Sequence, residues 1–219
     1  MIEVACAEGD AAAKTGAVSI AESVNLPQGI IPEPDPIRIN AYDIGCYYFP
    51  GWTDLNHWPK LPPFAERRPA LGYYDETSPI AADWHIKWAV EHGISHFVVE
   101  WWWQDGAPRK GHDFVEQALL PAQFIDEIEF CVMWNNPVNH WLGHPWSEAD
   151  FEGLTQYWID HYFGHSSYKL HGDGRPVAYI LNARNFIDTF GETGARNLML
   201  DAEARAQAAG FPGIHWVAC

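Results

Sequence analysis

The feature that most restricts this chain is a rhythm that starts near residue 40. Short apolar runs alternate with longer amphipathic segments. Residues 42–49 are apolar and aromatic and predict a first buried strand. A long loop rich in Pro and Trp follows to about residue 77. Ser78-Pro79 then opens a helix with proline at its first position. Ile80, Trp84 and Trp88 recur along one face of it, and Gly93 closes it. Residues 94–100, 128–134, 176–181 and 214–218 predict four further strands. Between them fall a short helix at 114–122, a helix capped by Ser147, and a helix at 195–209 ended by Gly210. The second of these carries the stripe Phe151, Leu154, Trp158 and Tyr162. Strands that are apolar nearly throughout and alternate with helices favour a parallel sheet covered by helices.

Two architectures use that pattern. A doubly wound sheet usually carries a glycine-rich turn after its first strand. Here that turn is Tyr47-Tyr48-Phe49-Pro50-Gly51-Trp52, which cannot cradle a phosphate. The expected fold class is therefore α/β, a partial (β/α)8 TIM-type barrel of about five strands and four helices preceded by a short β ribbon. A complete barrel takes about 250 residues, so the barrel at 41–219 is expected to stop before closing. Residues 1–31, with Ile2, Val4 and Cys6 alternating, read as two short strands, the end of a β-sandwich domain. Residues 32–40, with Pro32, Pro34 and Pro36, read as a stiff extended linker.

Barrels place their chemistry at the carboxyl ends of the strands. Those ends supply Tyr47, Tyr48 and Trp52 from strand one, and Glu100, Trp101, Trp102 and Trp103 from strand two. Trp134, Asn135 and His140 follow strand three, and Asn182 follows strand four. Indole faces stack on the apolar C–H faces of sugars. Amides donate and accept together, which suits neighbouring hydroxyls. These residues are the expected substrate-binding set. The competing reading is that the aromatics roof the barrel or fill its core. Glycoside hydrolysis usually needs two carboxylates. Glu100 is well placed to be one, or to act as a hydrogen-bond or ion-pair partner of Arg109 or Arg184. No second acid emerges at the other strand ends, so the catalytic residues stay unknown.

Composition removes several alternatives. A formal net charge of −16 argues against nucleic acid and anionic membrane surfaces as partners. No apolar run reaches transmembrane length, and no signal peptide is visible. Four widely spaced cysteines form no zinc pattern, and the 11 histidines include no HExxH pair, so no metal site and no cofactor are expected. A strand at the margin of an open sheet is an unpaired edge, so self-association through exposed edges is expected.

The run Ile44-Gly-Cys-Tyr-Tyr-Phe-Pro-Gly-Trp52 resembles the opening strand of glycoside hydrolase family 99-like proteins, including the WbsX-like group. Leu71-Gly-Tyr-Tyr-Asp-Glu76, Asp83-Trp-His-Ile-Lys-Trp88, Glu100-Trp-Trp-Trp103 and Phe130-Cys-Val-Met-Trp-Asn135 continue the resemblance in order. It implies a (β/α)8 barrel acting on a glycan or polysaccharide, with retaining endo-α-mannosidases among its members. The binding residues it implies are the strand-one tyrosines, the strand-two aromatics and Trp134-Asn135. The family's paired acids sit late in the barrel, in a motif like Asn-Glu-Trp-x-Glu that has no match here. A stretch with this content is expected to be catalytically silent by itself. The alternative is a non-catalytic carbohydrate-binding module.

Overall fold

The near-continuous apolar runs form five strands of one parallel sheet. The computed structural model describes residues 30–38, 42–52, 57–61, 64–136 and 146–219. The sheet strands are β1 (Gly45–Tyr48), β2 (His96–Trp101), β5 (Glu129–Trp134), β6 (Val177–Ile180) and β7 (His215–Ala218). A two-residue hairpin after β2 supplies β3 (Trp103–Gln104) and β4 (Ala107–Pro108). The helices are α1 (Pro79–Val90), a π-helical turn (Phe114–Leu119), α2 (Glu148–His161) and α3 (Ala183–Ala208). The expected ribbon falls outside the described residues.

Strand order in the sheet is β1-β2-β5-β6-β7, the order of the chain, with every neighbouring pair parallel. A doubly wound sheet reverses direction at a switch point and carries helices on both faces. This sheet does neither. Tyr48 meets α1 and the π-helical turn through His85 and Phe114. On the same face Trp101 meets Trp158 of α2, and Trp134 meets Phe151 of α2 and Phe186 of α3. The helices cover one face, and the other face is concave. The architecture is a partial (β/α) barrel.

Local chemistry sets the boundaries. Ser147 accepts the Asp150 N–H at 3.1 Å while its own N–H donates to the Asp150 carboxylate at 3.0 Å, a complete capping box for α2. Gly93 takes φ +79° just beyond α1. The third helix departs from expectation. It begins at Ala183 rather than 195, because the Asn182 side chain accepts the Asn185 N–H at 2.8 Å and caps it. Gly191, at φ +71°, interrupts it. The Pro-rich segment does not hang free: Ile37 N–H donates to Val90 O at 2.9 Å, at the end of α1.

The amino-terminal end of the concave face is tied by charge. Lys169 Nζ lies 2.6 Å from both Asp43 Oδ2 and Glu129 Oε2, and His96 Nδ1 lies 3.2 Å from Asp43. Gly45 makes room for the His96 ring, since a Cβ there would come within 2.2 Å of Nε2. A cavity of about 430 Å³ opens at this end, between the Pro-rich segment and residues such as Ser95, Asp126 and Ser167. In barrels this end serves stability, and the opposite end serves chemistry.

Candidate functional site

Side chains alternate across a strand, so strand parity and register divide the expected residues into two groups. Tyr47 pairs with Val98, Glu100 with Met133, and Met133 with Tyr179. Tyr47, Glu100 and Tyr179 therefore share the concave face, and Asn135 continues the same parity beyond β5. Tyr48, Trp101 and Trp134 take the helix-covered face.

On the concave face Asn135 Nδ2 donates to Glu100 Oε2 at 2.9 Å. Burial raises the Glu100 carboxyl above its usual range, and the Asn135 hydrogen bond opposes the rise. The pair presents a half-buried acceptor beside an amide, and it replaces the expected ion pair with Arg109 or Arg184. Arg184 instead pairs with Asp188. Tyr47 stands 63% exposed and packs edge-on against Tyr179 at 6.4 Å. Among the described residues, Glu100 is the one carboxylate that a sheet strand presents to the concave face in its carboxyl-terminal half.

Beyond the carboxyl ends of β1 and β2 runs a ridge of aromatic rings. Trp102 meets Phe49 at 6.0 Å, Phe49 stacks on His57 at 5.9 Å, and His57 meets Trp52 at 5.7 Å. Trp52 stacks on Trp58 at 4.8 Å, and Trp58 meets Tyr73 at 5.7 Å. Trp52 is held by its backbone N–H, which donates to the buried carboxylate of Glu76. Sequence reasoning found Trp52 and Trp102 but missed Phe49, His57, Trp58 and Tyr73. Phe49 ends the expected first strand, and the other three lie in what reads as a Pro- and Trp-rich loop. The signal was the density of aromatics between 49 and 74.

Four expected binding residues are corrected. Trp101 and Trp134 are fully buried beneath α2 and α3, so a ligand on the concave face cannot reach them. Trp103 turns back onto α2, stacking on Trp101 at 5.9 Å and pressing on Gly153. Tyr48 stacks on Phe114 at 4.2 Å, and its hydroxyl meets His85 Nδ1 at 2.8 Å. These aromatics form the layer between sheet and helices. Asn182 is half-buried, and its side-chain oxygen is committed to the α3 cap. Its backbone exchanges two 2.8 Å hydrogen bonds with the buried Asn136 amide, which ties the ends of β5 and β6 together. His140 lies outside the described residues.

Among the described residues no cluster of three or more His, Cys, Asp or Glu could hold a metal ion. No helix there is long and apolar enough to cross a membrane.

Neither a family model nor a curated protein matches the sequence. Solved structures do match by fold. A GH99 endo-α-mannosidase from Bacteroides thetaiotaomicron, in complex with bis-tris-propane, superposes with a TM-score of 0.50 at 21% identity, over 69% of this chain and 47% of that one. A second structure of the GH99 endo-α-mannosidase from that organism gives a TM-score of 0.47 at 20% identity, over 69% of this chain and 40% of that one. This chain thus spans just under half the length of the enzyme structures it matches. Monotonic strand order, one-sided helix cover and this superposition identify the fold as part of a (β/α) barrel, similar to that of the GH99 structure.

Proposed function

We propose that the carboxyl-terminal rim of this sheet is a glycan-binding surface belonging to a glycoside hydrolase that acts on α-mannosidic polysaccharides or oligosaccharides. The observation that carries this reading is the aromatic ridge from Trp102 to Tyr73, which starts two residues beyond Glu100 of the Glu100–Asn135 pair. Half-buried indole faces at Trp52, Trp58 and Trp102 offer stacking area. Glu100 and Asn135 offer an acceptor and an amide to ring hydroxyls, and Tyr47 adds a phenol. Glu100 is assigned to binding. A raised carboxyl would suit a general acid, but hydrolysis by two carboxylates needs a partner within about 5–10 Å.

Affinity electrophoresis in gels containing α-mannan tests the reading. The chain should be retarded, and Trp102→Ala or Trp52→Ala should weaken retention about tenfold, the loss of one stacking contact. Migration unaffected by α-mannan would overturn it.

The second reading is a binding module without turnover. Among the described residues Glu100 is the one carboxylate that the sheet strands present in the carboxyl-terminal half of the concave face, and that favours it. Release of reducing ends from α-mannan by this chain, abolished in Glu100→Gln, would exclude that alternative. Retention without release would support it.

A further inference from the structure

The aromatic ridge is bracketed by cations, and those cations are unlike most others in the protein. Elsewhere Arg38, Lys87, Lys169, Arg175 and Arg184 each have a carboxylate partner. At the rim Lys60, Arg67, Arg68 and Arg109 are exposed, and no carboxylate pairs with any of them among the described residues. Arg196 and Arg205 on α3 are the exceptions away from the rim, and the half-buried Arg205 donates to the Thr155 hydroxyl instead. In a chain of net charge −16, unpaired cations gathered at one end stand against the overall field.

Their geometry continues the ridge. The Arg68 guanidinium carbon lies 6.0 Å from the Tyr73 ring centroid, and Tyr73 is the last ring of the series. Arg67 lies over Phe64 at 4.9 Å. A guanidinium stacked by its face keeps its N–H edge free, and that edge fits oxyanions in a bidentate manner. At the other end, the backbone of Arg109 is hydrogen-bonded to that of Trp102, with Arg109 N–H donating to Trp102 O at 2.9 Å. Cations therefore stand beside both end residues of the ridge, Arg68 at Tyr73 and Arg109 at Trp102.

We infer that the glycan taken by this rim is anionic, recognised through oxyanion substituents such as phosphate or carboxylate groups held by Arg67, Arg68 and Arg109. The inference rests on the glycan-binding reading and narrows its substrate class.

Titration calorimetry on the whole chain tests it with three polymers: a mannan bearing phosphodiester groups, the same mannan after dephosphorylation, and polygalacturonate. Tighter binding of the phosphorylated mannan than of its neutral form, by about tenfold at low salt, is expected. Binding of polygalacturonate supports the inference equally and marks the recognised group as any oxyanion rather than phosphate. The advantage should shrink as NaCl rises. The triple variant Arg67→Gln/Arg68→Gln/Arg109→Gln should lose the preference yet bind the neutral mannan as before, since all three side chains are exposed. Equal binding of the two mannans with no binding of polygalacturonate overturns the inference and leaves glycan binding intact. No binding of any polymer overturns both.

Discussion

The Tyr47 hydroxyl and the Cys219 thiol hydrogen-bond at 3.3 Å, although β1 and β7 are the first and last strands of the sheet. Four inter-strand steps of about 4.8 Å would separate them by roughly 19 Å in a flat sheet. The contact therefore requires the sheet to curl until its outer strands face each other across the concave side.

That contact has a spectroscopic signature. The hydrogen bond to Cys219, with burial second, pushes the Tyr47 phenol up to about 12. Ring resonances of Tyr47, assigned through Tyr47→Phe, should titrate near that value. In Cys219→Ala they should return toward an ordinary phenol, about 10. An unchanged titration would mean that the two strands do not meet.

His85 should make stability pH-dependent. Burial lowers its imidazole to about 4, and its Nδ1 meets the Tyr48 hydroxyl. The folded value lies below the unfolded value of about 6.5. Stability is thus complete above 6.5 and declines as the unfolded state takes up a proton between 6.5 and 4. The expected loss is about 2 kcal/mol, less than the full shift because the ring keeps some solvent contact. In His85→Gln, urea midpoints measured across this range should lose most of that slope.

Asp43 acts at lower pH. Burial pushes its carboxyl up, but hydrogen bonds from Lys169 and Ser95 and the Lys169 and His96 charges outweigh burial and hold it at about 2. Its contribution is present above the ordinary carboxylate value, about 3.9, and is lost as pH falls from there toward 2. Acid unfolding followed by circular dichroism should lose that part of its pH dependence in Asp43→Asn. An identical acid profile would remove the Lys169 cluster from the account.

Gly153 should reverse a common rule. Glycine to alanine inside a helix normally gains up to about 1 kcal/mol. On α2 a Cβ at 153 would lie 2.7 Å from Cζ2 of Trp103. Gly153→Ala should destabilise by about 1–3 kcal/mol through overpacking, with a shift in tryptophan emission. A stabilised variant would show that Trp103 does not press on α2.

Much of the fold was legible in the residues. Alternating apolar runs and caps gave the five strands in order, and Ser147 marked the start of α2 because its capping box is local chemistry. The start of α3 was not legible. Asn182 reads equally as a rim amide and as a cap, and Phe186 and Phe190, four apart, were the signal for the first part of that helix. Within the candidate site, Glu100 and Asn135 could be placed near one another by strand ends alone. The partnership of Trp52 with Trp58 could not, because loop residues carry no periodicity.

The sequence by itself determined that Glu100 and Trp101 point to opposite faces, since side chains alternate along any strand. It could not say which face the helices would cover. Strands of a parallel sheet are apolar on both sides, so their pattern does not separate inside from outside. The tertiary structure decided that. Helices α2 and α3 close over Trp101 and Trp134 and draw them into the core. The curl of the sheet leaves Tyr47, Glu100 and Asn135 to the concave side. The run of three tryptophans after Glu100 is therefore split by packing: Trp101 and Trp103 are buried, and Trp102 remains at the rim.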